Sequence, residues 1–184
     1  MSECRVSTDV AAAAPWVRGA VGPAARRIAL RQEWPTDTAF LHRLYATTRA
    51  EEMAASGWPA LTCRQFLADQ FQAQDSHYRR VHPAAARHIV LVQRQRAGRL
   101  YLGQAADEIR IIDISLLPAA QGKAIGTALI RAVQENAAAQ GCRLALSVVI
   151  GNSAERLYLR LGFCPLFDGA GRREMVWRPA DQTS

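Results

Sequence analysis

Between Glu108 and Ile150 the chain runs through a β-branched stretch (Ile109, Ile111, Ile112, Ile114), a glycine-containing loop from Pro118 to Gly126, an apolar-striped segment from Thr127 to Gln140 and a second apolar run from Leu144 to Ile150. This order leaves little topological freedom. A strand, a helix and a strand of one sheet join by a right-handed crossover, so the two strands should be parallel with the helix over one face. Leu129, Ile130 and Val133 form the inward stripe of that helix, and Gly141 terminates it. The run from Glu108 to Ile114 is apolar on both faces, which suits a central strand.

The flanking segments fit around this unit. Arg27 to Arg31 alternates as a half-buried strand, and Thr36-Asp37 after Trp34-Pro35 can cap a helix that carries Phe40, Leu41, Leu44 and Tyr45 and ends near Gly57. Thr62-Cys63-Arg64-Gln65 matches a T-x-x-Q capping box and opens a second helix. Four-residue spacing stacks Phe66, Gln70, Gln74 and Tyr78 beside an apolar row of Leu67 and Phe71. His88 to Val92 and Leu100 to Leu102 read as strands about a turn at Arg96 to Arg99, and the short connections predict an antiparallel meander. Asn152 to Leu161 reads as a short helix closed by Gly162, followed by a hairpin of Phe163 to Phe167 and Glu174 to Trp177. The expectation is an α/β (α+β) fold with a mixed central sheet, mostly antiparallel with one parallel pair, flanked by helices. Residues 1–25 form an Ala-, Pro- and Gly-rich leader, 26–178 the domain and 179–184 a tail.

Composition narrows the functional classes. The 184 residues are 49% hydrophobic and 21% charged, as in one globular domain, and no apolar run approaches the roughly 20 residues of a membrane span. The net charge of +7 comes from arginines scattered singly or in pairs, with Lys123 as the only lysine, so no basic stripe marks a nucleic-acid partner. Cys4, Cys63, Cys142 and Cys164 show no C-x-x-C pair, and the histidines show no H-x-x-x-H, so a metal site is not expected. With Glu3, Asp9 and Pro15 breaking any signal-peptide core, a cytoplasmic location is expected. Edge strands at either end of the sheet leave a homodimer open.

A strand feeding a loop that opens a helix aims backbone N–H groups and the positive end of the helix dipole into one hollow, which suits an anion. Here Gln121-Gly122-Lys123-Ala124-Ile125-Gly126-Thr127 has small residues at 122, 124 and 126, and a hydroxyl at Thr127. It matches neither the P-loop nor the dinucleotide fingerprint, which lowers nucleoside triphosphates and dinucleotides as ligands.

Gln121 to Gly126 resembles the Q/R-x-x-G-x-G/A signature of the GNAT superfamily of acyl-CoA-dependent N-acyltransferases. Asn152 to Phe163 is similar to the closing segment N-x-x-A-x-x-x-Y-x-x-x-G-F. Two departures are visible: Ala124 stands where glycine is usual, and Asn152 lies one position closer to the alanine. The resemblance implies a central strand that bulges and splays from its parallel neighbour, with the pantetheine arm of acetyl-CoA in the gap. Ile114, Ser115 and Leu116 would bind that arm, and the Leu116 N–H would polarise the thioester carbonyl. The cofactor's phosphates would lie on the loop from Gln121 through Gly122, Lys123, Ala124, Ile125 and Gly126 to Thr127. Asn152 would cap the last helix and contact the arm.

The implied reaction is acetyl transfer to an amine by direct attack in a ternary complex. Glu108 is expected as the general base, with Asp113 or water as alternatives, and Tyr158 as the general acid that protonates the CoA thiolate. Acceptor specificity, for a small-molecule amine or a protein amino group, would lie on the two helices after the first strand. Glu51, Glu52, Trp58, Gln70, Gln74 and Tyr78 are its candidates, the carboxylates and the indole suiting a cation. The competing reading is a non-catalytic acyl-CoA-binding sensor, which would keep the loop but need neither Glu108 nor Tyr158.

Overall fold

The computed structural model describes residues 28–180. The expected leader with Cys4, the start of the domain at Arg26, the start of the first strand at Arg27 and the last four residues of the tail lie outside them. A strand β1 (Ile28–Gln32) and a short 3₁₀ turn (Pro35–Asp37) lead into helices α1 (Thr38–Thr48), α2 (Ala50–Ser56) and α3 (Ala60–Val81). Strands β2 (Ala86–Val92), β3 (Gln95–Gln104) and β4 (Glu108–Leu116) follow, then α4 (Ile125–Ala139), β5 (Arg143–Val149), α5 (Ala154–Arg160), β6 (Cys164–Gly169) and β7 (Arg172–Trp177).

These strands form one seven-stranded sheet in the order β1-β2-β3-β4-β5-β7-β6. The first four make the expected antiparallel meander, and β4 and β5 pair in parallel. Apolar residues of α4 and α5, including Leu129, Ile130, Val133 and Tyr158, pack on one face against Ile109, Ile111, Leu144 and Leu146. On the other face, Phe40, Leu41, Leu44 and Tyr45 of α1 meet Leu67 and Phe71 of α3 over Ile89. Among the described residues no helix is long and apolar enough to cross a membrane.

Four local expectations need correction. The helix after Pro35 is interrupted at Arg49 (φ −115°, ψ 8°), so α1 and α2 replace one long helix, although Gly57 at φ 68° ends α2 as its position suggested. Thr62 lies inside the first turn of α3, whose N-cap is Pro59, so its T-x-x-Q box does not cap the helix. The β2–β3 reversal is made by Gln93 and Arg94, both at positive φ (51° and 66°), and not by Arg96 to Arg99. Gly98 serves close approach: a Cβ there would lie 2.2 Å from the Ser115 carbonyl oxygen.

The fourth correction concerns Asp37. It holds the N-cap position of α1 but makes no side-chain cap bond to that helix; its carboxylate accepts two bonds of 2.6 Å from Arg31, one of 3.3 Å from Arg96 and one of 2.9 Å from the Trp34 N–H, which closes the preceding 3₁₀ turn. Its side chain is 1% exposed. The Arg31 guanidinium and, behind it, the Trp34 N–H hold its pKa down at about 2 against the opposing effect of burial. A depressed carboxylate stabilises the fold above its unfolded value of about 4 and loses that contribution as pH falls toward 2. Because Arg31 and Arg96 are partly solvated, Asp37→Asn should cost about 1–2 kcal/mol at pH 7. Urea unfolding at pH 7 and pH 3 checks this, since the gap to wild type should narrow in acid.

Candidate active site

The site begins where β4 leaves β5. Their ladder pairs Glu108 with Arg143 through to Ile111 with Leu146, yet β4 continues to Leu116 and β5 to Val149. Beyond the last pair the strands share no ladder bonds. On the opposite side β4 stays bonded to β3, but with an extra residue: Tyr101 faces Asp113 while Leu102 faces Ile111, leaving Ile112 as a bulge. A bulge bends its strand and shifts the alternation of side chains by one. Ile109 and Ile111 therefore share the α4 face with Ile114 and Leu116, whereas Asp113 and Ser115 face α3.

The same alternation orients the main chain. The Leu117 N–H bonds to Ala97 of β3 (2.8 Å), so the polar groups of Leu116 point the other way, toward the gap. The Leu116 carbonyl accepts a 2.8 Å bond from the Gln121 side chain on that side. Leu116 thus offers its N–H where β5 has withdrawn.

The gap opens onto a cavity of about 510 Å³ bounded by Ile114 and Leu116, the loop from Gln121 to Thr127, and Leu157 and Tyr158 of α5. At its floor, the first bond along α4 runs from the Ala128 N–H to the Ala124 carbonyl (3.0 Å), so the N–H groups of Ile125, Gly126 and Thr127 precede any helical acceptor. Gly122 and Ala124 both adopt left-handed backbone (φ 67° and 58°) to turn the loop into the helix. Left-handed backbone costs an L-residue roughly 1–2 kcal/mol, part of which glycine forfeits through its freer unfolded chain. Ala124→Gly should therefore stabilise the protein by about 0.5–1 kcal/mol, read as a melting-temperature rise of roughly 2 °C. Lys123 departs from expectation: its ammonium bonds back to the Ala119 carbonyl (2.6 Å) and lies outside the cavity lining.

Tyr158 is 7% exposed, its ring edge-on to Phe163 at 5.8 Å, and it forms part of the cavity wall. Burial, reinforced by the Asp113 carboxylate and opposed by Arg172, pushes its phenol up to about 12. It stays protonated throughout the neutral range. Asn152 lies one residue before the N-cap position, which Ser153 holds, and braces the start of α5 by accepting a 2.8 Å bond from the Ala154 N–H.

The two carboxylates considered as bases are both engaged. Glu108 sits at the closed end of the strand pair, accepting from Arg110 and Arg143 at 3.0 Å each. Asp113 accepts from Arg99 twice (3.2 and 2.7 Å), from the Tyr78 hydroxyl (3.1 Å) and from Ser115 (2.7 Å). Ser115 accordingly turns from the arm-binding side toward this buried cluster.

On the α3 face the splay meets a second cavity of about 370 Å³, whose walls include Gln74, Tyr78, His77 and His82 from the α3 side and Arg110, Ser147 and Arg172 from the sheet. Of the acceptor candidates, Gln74 and Tyr78 reach this cavity, while Glu51, Glu52, Trp58 and Gln70 belong to the lining of neither. Glu52 pairs with Arg49 at 2.6 Å, and Trp58 packs edge-on against Phe66 at 5.3 Å. The residues that sequence reasoning passed over are His77, His82, Arg110, Ser147 and Arg172, and Leu157 and Arg160 at the larger cavity. Leu157 and Arg160 lie within the closing segment from Asn152 to Phe163; the others carry no local signal.

The model of the Acetyltransferase (GNAT) family matches residues 49–163. No curated protein matches the chain. Among solved structures, the fold is similar to a PaiA N-acetyltransferase from Thermoplasma acidophilum in complex with coenzyme A, at 14% identity, a TM-score of 0.62 and coverage of 83% of this chain and 99% of that one. It also resembles an acetyltransferase from Thermus thermophilus, at 21% identity, a TM-score of 0.57 and coverage of 83% and 97%. A third is a spermidine N-acetyltransferase chimera from Vibrio cholerae and hSSAT, at 19% identity, a TM-score of 0.57 and coverage of 82% and 95%. At these identities the likeness speaks to the fold.

Proposed function

The chain belongs to the acetyltransferase (GNAT) family, and from that premise we propose that it transfers an acetyl group from acetyl-CoA to an amine by direct attack within a ternary complex. The observation that carries this reading is the coincidence, at one opening in the sheet, of unpaired strand edge, helix N-terminus and buried phenol. The residues present fit the donor. Pyrophosphate oxygens suit the N–H groups of Ile125, Gly126 and Thr127, where the helix dipole favours negative charge. The pantetheine amides suit the polar main chain of Ile114 and Leu116, in the manner of an added strand.

The Leu116 N–H then serves as the donor that steadies the oxyanion formed when the amine nitrogen bonds to the thioester carbon. As that intermediate collapses, the C–S bond breaks, the acetyl group stays on nitrogen, the nitrogen gives its remaining extra proton to water, and the negative charge on the departing sulfur is met by the Tyr158 hydroxyl. An ammonium with a pKa of about 10.4 must first shed a proton. With Glu108 held by two guanidinium groups and Asp113 saturated, we assign that step to water in the polar cavity on the α3 face.

The test is thiol release from acetyl-CoA with a panel of amines. Release should depend on the amine, and its rate should climb with pH toward the acceptor's own pKa, since no protein carboxylate takes the proton. Tight acetyl-CoA binding in a calorimeter with no transfer to any amine would instead support a sensor domain. Absence of binding would sink both.

A further inference from the structure

The smaller cavity is lined without a single carboxylate, although it sits beside a site that would receive an amine. Its two guanidinium groups differ. Arg110 is spent on Glu108 (3.0 Å) and Glu174 (2.8 Å). Arg172 donates only to Ser147, to its hydroxyl at 2.9 Å and its carbonyl at 2.7 Å, and has no carboxylate partner among the described residues. It is exposed, at the start of β7. A guanidinium has five N–H donors, of which Ser147 takes two, and Arg172 lines the cavity, so donors remain for a ligand there.

The carboxylates around the cavity offer Arg172 no relief, because Glu108 and Glu174 are held by Arg110 and Asp113 is bonded to Arg99, Tyr78 and Ser115. The local field is correspondingly positive: burial first, then Arg110 and His77, push the His82 imidazole toward its neutral form. A plain polyamine entering here would add further positive charge beside Arg110 and Arg172. A molecule whose amine is balanced by an anionic group would find a partner for Arg172 and lose none for its nitrogen.

Resting on the acetyltransferase reading, we propose that this cavity selects acceptors that carry a carboxylate close to the reacting amine, as free amino acids do, and that Arg172 is the residue that binds the carboxylate. Planar fork meets planar carboxylate in a two-bond contact that an ammonium-only substrate does not make. The volume of about 370 Å³ lies within the small-molecule range of roughly 300–1,000 Å³ and suits a compact acceptor. Gln74 and Tyr78, on the opposite wall, limit the side chain that can accompany it.

The experiment compares matched acceptors with the full chain and acetyl-CoA: leucine, leucinamide, isoamylamine and spermidine, by kcat/KM. Leucine should exceed leucinamide and isoamylamine by about 10- to 100-fold, the worth of a charge-assisted hydrogen-bonded pair. Arg172→Gln should collapse that ratio toward one, and Arg172→Lys should restore part of it. Binding is read apart from turnover by titrating N-acetylleucine with CoA into wild type and Arg172→Gln. Binding lost in the variant, without turnover of any amine, would uphold the carboxylate site and overturn the acetyltransferase reading. Amide, isoamylamine or spermidine turned over as well as leucine would overturn the carboxylate site and leave acetyl transfer standing. Neither turnover nor binding would overturn both.

Discussion

A Tyr158→Phe protein is expected to bind acetyl-CoA as wild type does and to transfer the acetyl group about 100-fold more slowly. Proton transfer by a placed side chain contributes roughly 10²–10⁴-fold. The lower end applies here because burial holds the Tyr158 phenol up at about 12, well above the roughly 8.5 of an ordinary thiol. Complete transfer to the departing sulfur runs uphill, so the hydroxyl acts mainly by hydrogen-bonding the charge as it forms. The loss should fall in kcat, with little change in KM for acetyl-CoA, since the contact strengthens only as the C–S bond breaks. The ring and its packing on Phe163 remain in the variant, which guards against an unfolding artefact. A variant with more than half of wild-type kcat would remove Tyr158 from the mechanism.

The second large effect concerns the fold beneath the site. Arg99 is 4% exposed, Asp113 10%, and the pair is joined by two hydrogen bonds, with Gln74 accepting a third from Arg99 at 2.7 Å. The guanidinium also lies over Tyr101 at 5.1 Å. Arg99→Met keeps the stem but strands a buried carboxylate, and breaking a buried pair from one side costs about 3–5 kcal/mol. For a domain of this length that is a drop in melting temperature of roughly 10 °C. Arg99→Met combined with Asp113→Asn should recover part of the loss, because the uncompensated charge is then gone. A single-variant cost below 1 kcal/mol would show that the pair does not hold the bulged strand. Asp113 is one residue past the bulge at Ile112, so its anchorage ties buried electrostatics to the geometry of the gap.

Much of the architecture was written in short-range patterns. Gly57, Gly141 and Gly162 end their segments at positive φ, and a stop of that kind depends on one residue's backbone. The inward stripe of α4 and the two-sided apolar character of β4 likewise follow from periodicity, and together they dictate the parallel crossover. Gly98 shows the limit of such reading. It looked like turn chemistry, but it is glycine because the Ser115 carbonyl passes too close for a Cβ, a constraint set by a strand seventeen positions away, from residue 98 to residue 115. The actual turn fell on Gln93 and Arg94, where tight pairing of two strands imposed left-handed backbone on residues that do not favour it.

The candidate site divides along the same line. The anion loop and the phenol on α5 were visible because each belongs to a contiguous motif whose spacing is preserved when the chain is extended. The opening between β4 and β5, the double engagement of Glu108 and the meeting of Arg172 with Gln74 and Tyr78 were not visible in any stretch of residues. They arise when strands from distant parts of the chain are laid side by side and charges seek the nearest opposite charge. Arg143 reached Glu108 before a substrate could, and Ser147 took only part of Arg172. Local backbone preference and hydrophobic period act over a few residues and can be read along the chain; the pairing of charges depends on three-dimensional distance and is settled only once the sheet has closed.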